Sequence, residues 1–152
     1  MVPSPRALLV GRPAHRRRLF LALACAPALL VATYAAYAAG LFAVSGCVVF
    51  IPGQALLVGV AAAAVAGYGG VGLVAAWLGA YGSLLGYNAY HAFVGLPSRT
   101  RGEQLAYFLE LDGLAFQGVV ALLFGTVAFA AGYLLRTCVA VLWGDRTVGD
   151  LG

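Results

Sequence analysis

Charge is what this chain has least of. Asp, Glu, Arg and Lys make up 9% of its 152 residues, against roughly a quarter in an average soluble domain. Lysine is absent, so all nine basic residues are Arg. With the heavy use of Ala and Gly, that fits a GC-rich genome rather than a particular chemistry. No charged residue occurs between Arg18 and Arg99, a run of 80 residues, and none between Asp112 and Arg136, a run of 23. A soluble fold of this size could not cover its surface with so few polar groups. Neither run shows the polar helical face that a soluble bundle turns to water.

Other absences narrow the function. Proton relays, voltage sensors and ion-coupled transporters place ionisable side chains in mid-membrane, and the centres of these runs carry no Asp, Glu, Lys, Arg or His. Cys25, Cys47 and Cys138 are an odd number with no CxxC spacing. No base stands near any of them in sequence, so none reads as a nucleophile. With no HxxxH or similar spacing, no metal site is expected, and no cofactor. The pI near 9.2 does not indicate nucleic acid. Five of the nine Arg precede the first apolar run, and no basic face interleaved with aromatics is present.

What is present is apolar length. A crossing of a hydrocarbon core of about 30 Å takes about 20 residues, so the long run has room for three helices and the short one for a fourth. The reading is an all-α, polytopic membrane protein: a four-transmembrane-helix bundle with a short interfacial helix before the fourth. Residues 1–18 form a basic tail, 19–143 the transmembrane domain and 144–152 a second tail. The helices are placed at about 19–40, 52–67, 71–94 and 114–135, the last with room to continue to Trp143. Pro27 falls inside the first, where membrane helices tolerate it. Ser45-Gly46 and Pro52-Gly53 signal a reversal within 41–53, and Tyr68-Gly69-Gly70 a tight turn. Thr100-Arg101-Gly102-Glu103 has the spacing of a capping box; it starts the interfacial helix within the loop 95–113, which Asp112-Gly113 ends.

Arg counts near helix ends set orientation. Arg16, Arg17 and Arg18 anchor the first helix, and Arg136 and Arg146 follow the fourth. Four crossings place both ends on one side, read as the cytoplasmic face of the cell membrane. Val44-Ser45-Gly46-Cys47 resembles a lipobox, Arg17-Arg18-Leu19-Phe20-Leu21 a twin-arginine signal, and Ala36-Tyr37-Ala38 a cleavage site. The length of the apolar run, and the apolar sequence beyond it, argue against removal of the first helix.

Membrane helices associate through close contact and hydrogen bonds, which small residues permit. The third helix carries Gly79, Gly82, Ser83 and Gly86, with Gly82 and Gly86 a GxxxG pair. The second carries Gly59, Ala62, Ala63, Ala66 and Gly67, and the short turn between them suggests that these faces meet in a hairpin. Gly118, Ala121, Gly125, Ala128 and Gly132 line the fourth, either holding the bundle together or docking a partner.

One polar concentration remains, at the outer end of the third helix: Tyr87, Asn88, Tyr90 and His91. Glu103, Gln104, Tyr107, Glu110 and Asp112 follow in the loop, with Gln117 one turn into the fourth helix. Asn88, His91, Glu103, Glu110 and Asp112 are the candidate ligand-binding residues, set against an ordinary aromatic belt with headgroup contacts. The leading expectation is a non-enzymatic accessory or scaffold subunit. Its partners are the lipid bilayer and either another membrane protein or further copies of itself. A small oligomeric transporter or pore is the competing class, and an outer-leaflet enzyme using His91 the third.

Overall fold

Long uncharged stretches rich in Ala and Leu favour helix, because nothing but backbone entropy opposes the ladder and Gly and Pro mark its ends. The computed structural model describes Leu9, residues 16–43 and residues 52–144. Among the described residues the chain is all-helical, with no strand. Helix α1 spans Arg16–Ala38, α2 Gly53–Gly69, α3 Leu73–Phe93, α4 Arg101–Phe108 and α5 Leu111–Gly144. The segment with the lipobox-like Cys47, most of the 41–53 reversal, and the tails around Arg146 and before Arg16 lie outside the described residues.

The helix ends follow local chemistry. α1 runs through Pro27 and stops ahead of Gly40, whose φ is +71°. α2 ends at Gly70, φ +66°, whose amide donates to the carbonyls of Ala66 and Gly67 while Val71 N–H donates to Ala66. That arrangement closes orphan carbonyls with a left-handed residue, which glycine adopts without steric penalty. The turn lies at 70–72, slightly later than Tyr68-Gly69-Gly70, because α2 keeps its ladder through both of those first residues. α4 starts at the expected capping box: Thr100 Oγ1 accepts from Glu103 N–H, and the Glu103 carboxylate accepts from Thr100 N–H at 2.8 Å.

The fourth long helix, expected at about 114–135 with room to continue to Trp143, takes the longer extent. α5 begins at Leu111 and runs 34 residues to Gly144, about 51 Å at 1.5 Å per residue. Neither Asp112-Gly113 nor Arg136 interrupts it: Asp112 falls in the first turn, where a carboxylate is favoured by the helix dipole, and Arg is a good helix former within the ladder.

Among the described residues, one stretch is long and apolar enough to cross a membrane, Arg101–Leu142, in which α4 leads into α5. Leu23–Ala38 and Gly53–Gly69 are apolar but shorter, while α3 is diluted by Gly, Tyr, Asn and His.

α3 is the hub of the packing, in contact with α1, α2, α4 and α5; α2 and α5 also lie against each other. Its small residues divide among these neighbours. A Cβ on Gly82 would strike the Ala26 carbonyl of α1, and one on Gly86 would lie 2.8 Å from Thr33 Cβ. The GxxxG pair therefore serves α1, not the α2–α3 hairpin. The two helices run in the same direction, because Ala26 and Thr33 meet Gly82 and Gly86 in order. The hairpin contact uses Gly59 against Ala80 and Ser83, and Gly79 against Ala62. Ser83, fully buried, donates its hydroxyl to the Ala55 carbonyl.

The α5 stripe is taken up within the chain. Gly125 faces Trp77 and Ala80 of α3, Gly132 abuts the Ala64 backbone of α2, and Ala121 and Ala128 are buried in the core. Gly118 is looser: a Cβ there would lie 4.0 Å from its nearest neighbour, the Tyr81 ring.

Candidate functional site

The C-terminal ends of α1 and α3, the first turns of α2 and α5, and α4 come together at one end of the molecule. Aromatic residues fill it. The ring of Tyr37 on α1 stacks on Tyr90 at 5.4 Å and meets Tyr87 edge-on at 5.1 Å and Phe42 at 5.2 Å. Tyr37 is 3% exposed, so α1 is part of the packed unit up to the Ala36-Tyr37-Ala38 segment. Tyr87 stacks on His91 at 6.1 Å, His91 meets Tyr107 of α4 at 5.7 Å, and Arg99 lies over the Tyr107 ring at 5.8 Å. The result is a continuous aromatic column from the buried end of α1 to the exposed 95–100 turn.

Hydrogen bonds fasten α4 to the column. Asn88 is buried and donates its Nδ2–H to the Phe108 carbonyl at 3.4 Å. Gln104 is buried too, donating to the Leu96 carbonyl at 3.0 Å. The Phe93 and Phe108 rings add a tilted contact at 5.9 Å. Gly95 packs against His91 so closely that a Cβ there would lie 3.0 Å from Nδ1.

The five candidate residues do not converge. Asn88 and His91 share the column, but Asn88 spends its amide on the backbone of α4. Glu103 is occupied in the capping box, where the Thr100 amide and hydroxyl, with a smaller contribution from Arg99, hold its carboxyl below the usual range. Glu110 and Asp112 are exposed at the start of α5, and the Glu110 carbonyl closes the first α5 turn onto Leu114 N–H. Among the described residues, no three His, Cys, Asp or Glu side chains are grouped to hold a metal. Of these carboxylates, Glu103 is held in the cap of α4, and Glu110 and Asp112 stand exposed.

Two contributions carried no clear signal in the sequence. Tyr37 joins the column from a helix whose parallel alignment with α3 no local pattern announces. Trp77 donates its indole N–H to Thr126 at 2.9 Å, and Thr126 donates in turn to the Leu122 carbonyl at 2.6 Å, a link between α3 and α5. A Trp on one long apolar run and a Thr on the other are the only sign of it. Among the described residues, three buried oxygens, Thr33 Oγ1, Gln54 Oε1 and Gln117 Oε1, have no hydrogen-bond partner.

At the opposite end, Arg136 of α5 reaches the α2–α3 turn, its guanidinium beside Gly70. A cation is favoured there by the α2 C-terminal dipole. Arg16, Arg17 and Arg18 form the first turn of α1. Comparison with protein-family models, with curated proteins and with solved structures gives no match.

Proposed function

We propose that this chain is a multi-pass cell-membrane protein whose four long helices each cross the bilayer, acting as a non-enzymatic accessory or scaffold subunit. The observation that carries the membrane reading is an inverted distribution of side-chain size. Most of the interior is small, with Ala63, Ala76, Ala80, Gly82 and Ser83 nearly inaccessible and Tyr37, Leu84, Val120 and Phe129 the large exceptions, while Val65 is 71% exposed, Val127 69% and Leu57 68%. Water drives large apolar side chains inward; lipid rewards close backbone approach by small ones. α2, at 17 residues, spans about 26 Å, slightly less than a hydrocarbon core of about 30 Å, and local thinning or flanking polar residues accommodate that difference. Arg136 and the start of α1 then share the cytoplasmic side with both termini, and α4 lies in the outer interface.

The accessory role draws on the site: Asn88 and Gln104 spend their amides fastening α4 to α3 and the 95–100 turn, and the carboxylates are spread apart. Native mass spectrometry of the protein extracted from its own membrane in mild detergent tests it. A stoichiometric second protein is the expected species. A homo-oligomer that moves solute in liposomes would replace this reading with the transporter or pore, which the three buried oxygens without a partner among the described residues favour. Reporter fusions at the two termini test the topology; fusions falling on opposite sides would overturn it.

A further inference from the structure

We propose that His91 is a pH-sensitive clasp that tightens α4 onto α3 when its imidazole is protonated. Histidine changes charge near neutrality unaided, and His91 is the one His among the described residues. Its ring sits between an aromatic of each helix, Tyr87 of α3 and Tyr107 of α4. A cation within about 6 Å of an aromatic centroid is attracted to the ring face, and the Tyr107 centroid lies 5.7 Å away. Protonation thus strengthens a contact that crosses from one helix to the other.

The remaining groups around His91 give the direction. Gly95 presents only backbone to Nδ1, and Tyr37 and Tyr90 lie behind Tyr87. Arg99 stands over Tyr107 and opposes a second cation, but its charge is partly offset by Glu103. The other ties of α4, from Asn88 to Phe108 and from Gln104 to Leu96, involve no titrating group. Glu103, held below the usual carboxylate range, stays ionised across the neutral range, so the imidazole is the part of the α3–α4 contact that a proton can change.

Amide hydrogen exchange of Gln104–Phe108 in the purified full chain tests the clasp, corrected for the intrinsic pH dependence of exchange. Protection should rise about two- to fivefold between about pH 8 and about pH 5, the factor that an exposed cation–π contact supplies. The rise should vanish in His91→Phe, which keeps a ring but never a charge, and in Tyr107→Leu, which keeps His91 but removes its acceptor. Protection that stays flat or falls in the native chain, or that still rises in either variant, overturns the proposal.

Discussion

Gly82 of α3 lies directly on the Ala26 carbonyl of α1, with no space for even a methyl group. Backbone occupies the place where a side chain would stand, so relief requires the helices to separate. Gly82→Leu should cost about 1–3 kcal/mol or more, as overpacking of tight interfaces does. Reversible unfolding in mixed micelles measures it, and a cost within error of zero would show that α1 does not dock there.

Gly125 and Gly118 stand on the same stripe of α5 but differ in surroundings. Gly125→Leu meets Trp77 and Ala80 inside the chain and should lower thermal stability by several degrees. Self-association should not change, because the stripe faces inward. Gly118→Ala meets only the Tyr81 ring, at 4.0 Å, and should range from neutral to stabilising by about 1 kcal/mol, since Gly costs a helix interior about that much relative to Ala. The pair of melting curves, with native mass spectra beside them, separates internal packing from a dimer seam.

Thr126→Val removes the acceptor of the Trp77 indole while preserving shape. Hydrogen bonds between membrane helices average about 0.6 kcal/mol and reach about 1.7, so a loss in that range is expected. A double-mutant cycle with Trp77→Phe measures the coupling, and additivity would mean that the bond contributes nothing.

The capping box gives a separate, acid-range dependence. Because the Glu103 carboxyl is held below its ordinary value by Thr100, its contribution to α4 is present above the unfolded-state pKa. It is lost as pH falls through the lower, folded one. Glu103→Gln should flatten this dependence, and Thr100→Ala should fray α4 by about 1 kcal/mol. Exchange of the Glu103 and Gln104 amides against pH reports both.

Much of the helical layout was legible because its causes are local. Thr100 and Glu103 are three residues apart and announce a helix start whatever surrounds them; Gly70 and Pro52 punctuate in the same way. The expected segments 19–40, 52–67 and 71–94 differ from α1, α2 and α3 by a few residues, as fraying ends do. The partner of each small-residue face was not legible. Gly82 and Gly86 looked available to the nearest helix in sequence, yet the parallel docking of α1 claims them. The same non-local alignment brings Tyr37 to Tyr87. The candidate site was legible in part: Asn88 and His91 do meet α4, but Glu103, Glu110 and Asp112 are polar for reasons of helix capping and exposure.

The docking of α1 on α3, two helices on, has a consequence for biosynthesis. Ala26 and Gly82 are 56 positions apart, so α1 leaves the ribosome well before its mate exists, and α2 must be made in between. A nascent chain halted before Gly86 carries an α1 with no surface to dock on, leaving it free to drift or to meet a quality-control protease. Assembly is thus committed at the synthesis of α3, and the chain's lifetime as an unassembled intermediate is set by how quickly translation reaches it.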